Sequence, residues 1–172
     1  GGTFKYDYLN NKKLENKYGI YCYDGTSVGG TNAEKWDYAY KGLAGVFTTA
    51  ISADGSVAAA GGWMNERWGL LRIFDAQTGD LLLVDTTIPK RVNSISISAD
   101  GKVVAAAAER VHVYVKQNGY YDELPITKTH KAAFKLDGSV KAVAVAPDGS
   151  WLVACAMNGE AMLATINNGT IS

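Results

Sequence analysis

SADGSVAAAGG (52–62), SADGKVVAAAA (98–108) and APDGSWLVACA (146–156) are three writings of one short sequence. Their aspartates, Asp54, Asp100 and Asp148, stand 46 and 48 residues apart. An Asp-Gly pair between two apolar runs is a hairpin signal: Asp bonds its own downstream backbone and Gly accepts positive φ. Read as calcium ligands, these aspartates lack company, because each turn offers one carboxylate with no acidic ligand after it. The element therefore reads as a turn.

The flanks repeat as well. Before the turns stand VFTTAIS (46–52), VNSISIS (92–98) and VKAVAVA (140–146), each opening on Val. Branched and small residues alternate, which in a strand gives one bulky face and one face of Ser, Thr and Ala. After the turns come VAAAGG, VVAAAA and WLVACA, apolar throughout and expected to be covered on both faces. A third strand follows at 70–80, 111–119 and 162–170, with an upstream copy at 19–27. A fourth is expected at 81–88, at KAAFKLDG (131–138) and, upstream, at KWDYAYKG (35–42). Four strands in about 46 residues is the length of a propeller blade. The expected fold is all-β: a β-propeller of four-stranded antiparallel blades in one domain, 1–172. Blades are expected at about 1–45 (partial), 46–91, 92–139 and 140–172 (partial).

SISISADGKVVAAAA and FDAQTGDLL resemble the WD-repeat and quinoprotein-like β-propeller superfamily, and Phe74-Asp75 stands where a Trp-Asp pair often sits. No Gly-His dipeptide precedes the inner strands, so the resemblance is to divergent propellers, of bacterial or archaeal type, rather than to strict WD repeats. It covers nearly the whole chain. It implies a fold and says little about function.

Counted in blades, the chain opens within one and closes on a third strand, before any fourth, which makes about three and a half blades against the usual 4–8. Open sheet edges invite pairing. Three expectations follow: further blades elsewhere in a ring of about seven or eight, two copies closing a ring of about seven, or a small ring within one chain.

Composition narrows the function. The chain has 172 residues, 47% apolar and 20% charged, with 17 Lys and Arg against 17 Asp and Glu. That is a foldable globular composition, and its neutrality argues against nucleic acid as the partner. No apolar run has the ~18 residues a membrane helix needs, so this segment is not expected to insert. Cys22 and Cys155 lack CxxC spacing and read as two small buried thiols. The thiols permit a reducing compartment, while a periplasmic or extracellular setting is expected ahead of the cytoplasm.

Catalytic motifs are missing. His112, in VHVYV, reads as a packed or edge strand histidine, and His130 as a solvated loop residue. GTSVGG (25–30) lacks the Lys-Ser/Thr of a phosphate loop, and Asn168-Gly169-Thr170 reads as a turn ahead of a glycan acceptor. The informative residues lie in loops joining second to third strands and fourth to first strands, which open on one face of a propeller. Loop 63–69 (WMNERWG) offers Trp63, Glu66, Arg67 and Trp68. Trp and Arg are frequent binding anchors, although both Trp could instead cap the blade core. Lys90, Arg91, Glu109 and Arg110 belong to the same face. So does the long segment 3–19, with Tyr6 and Tyr8.

The expectation is a non-enzymatic scaffold or sensor binding a protein or small ligand through loops 3–19, 63–69 and 89–91. No cofactor or metal is expected. The partner is a protein, or the remaining blades of the same propeller, with a ring-closing homodimer as a further possibility. The alternative is part of a quinoprotein-like dehydrogenase or other propeller enzyme, with pyrroloquinoline quinone and calcium as cofactors and its catalytic groups in other blades.

Overall fold

The computed structural model describes residues 6–7, 12–13, 19–23, 34–39, 45–64, 68–124, 139–167 and 170–171. All regular structure among them is β. A short antiparallel pair, β1 (Tyr6–Asp7) and β2 (Lys12–Lys13), precedes a two-stranded sheet of β3 (Gly19–Tyr23) and β4 (Glu34–Ala39). Three four-stranded meanders follow. The first is β5 (Gly45–Ile51), β6 (Val57–Trp63), β7 (Gly69–Asp75) and β8 (Leu81–Asp85). The second is β9 (Ser94–Ile97), β10 (Val103–Ala107), β11 (Val111–Gln117) and β12 (Tyr120–Glu123). The third is β13 (Val140–Val145), β14 (Trp151–Ala156), β15 (Ala161–Asn167) and β16 (Thr170–Ile171). In each, chain order is spatial order and every pair is antiparallel. Inner strands β5, β9 and β13 lie side by side, as in a blade ring.

The Asp-Gly element is the hairpin between first and second strands. Asp54 Oδ1 accepts from Ser52 Oγ (2.6 Å), Ser56 N (2.9 Å) and Ser56 Oγ (2.8 Å). Asp100 accepts from Ser98 Oγ and the Lys102 amide, and Asp148 from the Ser150 amide and hydroxyl. These bonds hold all three carboxyls below the usual range. Asp100 falls to about 2, chiefly through its bond to the Lys102 ammonium. Gly55, Gly101 and Gly149 have φ of 70°, 69° and 73°, a region costly for any residue with a Cβ.

The core lies between sheets. Val57, Ala59, Leu71 and Ile73 face Ile95, Val104, Ala106 and Tyr114. Val103, Ala105, Val111 and Val113 face Val143, Leu152 and Ala154. Small residues allow this approach: a Cβ on Gly61 would stand 2.6 Å from Val92 Cγ1.

Four expectations are corrected. The fourth strand of the second meander is β12, formed at once through the Asn118-Gly119 turn, where both residues have positive φ. The stretch 131–138 lies outside the described residues. A fourth strand does begin in the last sheet, as β16. WLVACA is covered on one face only: Leu152, Ala154 and Ala156 are buried, while Trp151, Val153 and Cys155 are exposed. Cys22 is half-buried and Cys155 exposed, so they are not two buried thiols. His130, segment 25–30 and Asn168-Gly169 lie outside the described residues. No helix among the described residues is long and apolar enough to cross a membrane.

Candidate functional site

Each inner strand carries an irregularity at its loop-side end. In β5 the register passes from Val46↔Gly62 to Thr48↔Gly61, leaving Phe47 as the extra residue of a bulge. In β13 it passes from Val140↔Ala156 to Ala142↔Cys155, leaving Lys141. Asn93 holds the same repeat position: its amide donates to Ala107 O at 2.7 Å, while Ser94 is the residue paired with Ala107. A bulge re-aims the side chain it carries. Phe47 is 51% exposed, a high value for an aromatic in an inner strand, and Lys141 is also exposed.

Phe47 organises the loop face around it. Trp63, the last residue of β6, meets it edge-on, ring centroids 5.8 Å apart at 89°. The Arg91 guanidinium lies over its ring, 4.2 Å from the centroid. Arg91 Nε donates to Asn93 Oδ1 at 3.0 Å, and Asn93 Nδ2 donates to Val140 O at 2.8 Å. A continuous chain of side chains thus runs across the loop side of three blades. Gly45 makes room for it, since a Cβ there would fall 2.1 Å from Trp63 Nε1. The 64–68 loop is closed by the Met64 amide bonding Trp68 O at 2.9 Å, which sets exposed Trp68 at its second foot. An aromatic pair of this kind contributes about 0.5–1.5 kcal/mol, and an exposed cation over a ring about 0.5–1 kcal/mol. That is enough to hold a surface in shape while leaving it available.

A second cluster sits under the loop of the middle blade. His112 is buried in β11. Its Nε2 is 3.0 Å from Glu109 Oε1 and its Nδ1 2.7 Å from Glu123 Oε1. Arg110 donates to the same Glu123 oxygen at 2.9 Å. Burial lowers the His112 pKa, but the bonds to Glu109 and Glu123 outweigh it and the net shift is upward. Burial likewise raises both glutamates, yet their bonds to His112 bring them below the ordinary range. Alongside, Tyr114 Oη donates to Asp85 Oδ2 at 2.7 Å, joining the middle blade to the outer end of the one before it. Burial, with that bond second, pushes the phenol far up.

The structure therefore divides the sequence-derived set. Trp63 and Arg91 come together through Phe47, with Trp68 and exposed Lys90 on the same loop side. Glu109 and Arg110 turn to His112 and Glu123 instead. Glu66, Arg67 and Tyr8 lie outside the described residues, and Tyr6 is described only as part of β1. Phe47 and Asn93 escaped the sequence reading. Their signal was present: the second position of VFTTAIS, VNSISIS and VKAVAVA follows no apolar pattern across the copies, as befits a residue lifted out of the ladder.

Comparison with known proteins agrees with this architecture. The family model for the WD domain, G-beta repeat, matches residues 127–163. The β-propeller domain of Cps50 (Swd1) from Myceliophteria thermophila is similar at 17% identity and TM-score 0.56, over 77% of this chain and 38% of that one. A chain from the complex of KlAtg21 with the coiled-coil of AgAtg16 is similar at 15% identity and TM-score 0.54, over 71% of this chain and 40% of that one. The chain thus spans about two fifths of the length of these solved structures. No curated protein matches the sequence. Repeat, blade order and these structural likenesses together give this chain the β-propeller fold, with one stretch of it, residues 127–163, matching the WD-repeat model.

Proposed function

We propose that the chain is a protein-interaction scaffold that takes a partner segment on its loop face, at the Trp63–Phe47–Arg91 cluster. The observation that carries this reading is an exposed Phe in a bulge, held between a Trp edge and a guanidinium. Aromatic and Arg side chains on a rigid sheet end are the usual anchors of protein interfaces. Lys90, Arg91 and Lys141 bring positive charge to the same side. The partner segment accordingly pairs an acidic side chain with an apolar one, the first for the cations and the second for the rings. That one similar structure comes from a complex with a coiled-coil fits a protein partner.

The test is selection from a displayed peptide library, followed by titration against Phe47→Ala, Trp63→Ala and Arg91→Ala. Selected peptides rich in Asp or Glu beside Leu, Phe or Trp, with affinity falling at least tenfold in each variant, are the expected result. Peptides that bind all three variants as tightly as the wild type place the site elsewhere.

A further inference from the structure

His112 is buried in β11, yet charged groups hold both edges of its ring. Glu109 and Arg110 reach it from the turn between β10 and β11, and Glu123 from β12. Asp85, bonded to Tyr114, adds its charge from β8 of the preceding blade. A protonated imidazole donates at both nitrogens and a neutral one at a single nitrogen. With the proton on, both glutamates are satisfied; with it off, one of them loses its donor. Glu123 keeps Arg110 at 2.9 Å and faces the nearer ring nitrogen, at 2.7 Å. Glu109 is left with Arg110 Nε at 3.6 Å, and its Oε2 is buried with no hydrogen-bond partner among the described residues. A buried carboxylate oxygen without a donor is costly, so Glu109 is the one that lets go.

Glu109 belongs to the turn from which this part of the loop face is hung. The Ala108 amide donates to Arg110 O at 2.9 Å and closes the turn. The Ala108 carbonyl accepts from Val140 N at 2.9 Å and from Ser139 Oγ at 3.5 Å, and the Ala107 carbonyl accepts from Asn93 N at 2.7 Å. Asn93 Nδ2 donates to Val140 O at 2.8 Å and to Ser139 Oγ at 3.3 Å, while its Oδ1 accepts from Arg91 Nε at 3.0 Å. Arg91 covers the Phe47 ring. The path from His112 to Phe47 is thus unbroken, through hydrogen bonds, chain bonds and one ring contact. Continuity alone is not coupling; coupling needs an element with two states. Here that element is the Glu109 carboxylate, bonded to the ring or released from it.

Taking the loop face as the binding face, we propose that the charge on His112 regulates it. The protonated ring clamps the 108–110 turn and keeps Asn93 and Arg91 in place over Phe47. Loss of the proton releases Glu109 and loosens that cluster, so the site binds tightly while His112 is charged and weakly once it is neutral. Burial works against the proton, but the bonds to Glu109 and Glu123 outweigh it, and the proton leaves above the ordinary histidine value of about 6.5. The loss of affinity therefore falls on the alkaline side of neutrality. Linkage runs both ways, so an occupied site holds the His112 proton more firmly.

The experiment uses the whole chain in a His130→Asn background, which leaves His112 as its sole histidine. Affinity for a selected peptide free of His and Cys is measured by calorimetry on both sides of the His112 titration, with His112 intact and as His112→Gln. Couplings between sites start at about fivefold, and affinity weaker by at least that factor on the alkaline side is the expected result. The Gln variant, which also controls for the two cysteines, should bind alike on both sides. In parallel, and without peptide, the nitrogen shifts of Arg91 Nε and Asn93 Nδ2 are followed against the ring signal of His112. All three should move with one midpoint. Affinity that is the same on both sides, or that falls equally in the Gln variant, overturns the proposal and leaves the binding site standing. A chain that takes up no selected peptide overturns the loop-face reading instead, and the shifts then decide whether His112 moves the cluster; they decide too if the Gln variant does not fold. Arg91 and Asn93 signals that stay still while the ring titrates overturn the coupling.

Discussion

Replacing His112 with Ala removes the group that joins Glu109 to Glu123 and leaves two half-buried carboxylates facing each other. A hydrogen bond to a charged partner is worth about 1.5–3 kcal/mol, and breaking a buried ion pair costs about 3–5 kcal/mol. Both glutamates keep some contact with water, their side chains being 22% and 32% exposed, and Arg110 still reaches Glu123. The cost therefore sits near the lower end, about 2–3 kcal/mol. For a chain of this size each kcal/mol moves Tm by about 2–4 °C, so the variant should melt about 4–12 °C lower. The pH dependence is the sharper test. The folded pKa of His112 is raised, so its contribution is complete below the ordinary histidine value and is lost as pH rises through the folded one. The folded pKa values of Glu109 and Glu123 are lowered, so their contribution is present above the ordinary glutamate value and is lost as pH falls through the folded ones. The gap between wild type and variant should peak between about pH 4.5 and 6.5, and narrow toward pH 9 to the pH-independent cost of emptying the buried ring's place. Circular-dichroism melts in a constant-ionic-strength buffer series measure it. A gap that is flat, or widest at alkaline pH, refutes the ion-pair reading of the cluster.

Three further outcomes follow from the same geometry. Gly101→Ala should destabilise by about 2–4 kcal/mol in urea titrations, because a φ of 69° costs about 1–2 kcal/mol and the new Cβ overpacks Val57. Gly55→Ala carries the backbone cost alone, having no neighbour to meet, and should lose no more than about 2 kcal/mol. Equal losses would show that the turn glycines are not seated on the preceding blade. Tyr114→Phe should lower stability by about 1–2 kcal/mol through the lost bond to Asp85, and equal melting of the two proteins would show that the bond contributes nothing.

The fold was legible because it is written three times. Alternation in VNSISIS, the Asp-Gly turn and the apolar second strand each name a local structure, and their shared spacing names the blade. Where the copies diverge, legibility fails. The repeat pattern points to KAAFKLDG (131–138) as the fourth strand after 119, yet Asn118-Gly119 is itself a tight hairpin turn and pairs Tyr120–Glu123 at once. WLVACA reads as doubly covered because its composition is that of its sister strands, and composition does not record whether a neighbour is present. Of the site, Trp63 and Arg91 were visible as residue types in loops. Phe47 was not, because a bulge is a register event between two strands and neither strand shows it alone. Glu109 and Arg110 looked like loop charges, and only the pairing of β11 with β12 reveals that Glu123 and His112 claim them.

The claim that the loop face is the binding face meets its most direct test in amide hydrogen exchange, with and without a saturating selected peptide. Slowed exchange confined to residues 45–48, 63–64 and 90–93 is the expected footprint. Slowed exchange at the Asp-Gly turns, 52–57, 98–103 and 146–151, with residues 45–48 and 90–93 unchanged, would put the partner on the opposite face and contradict it.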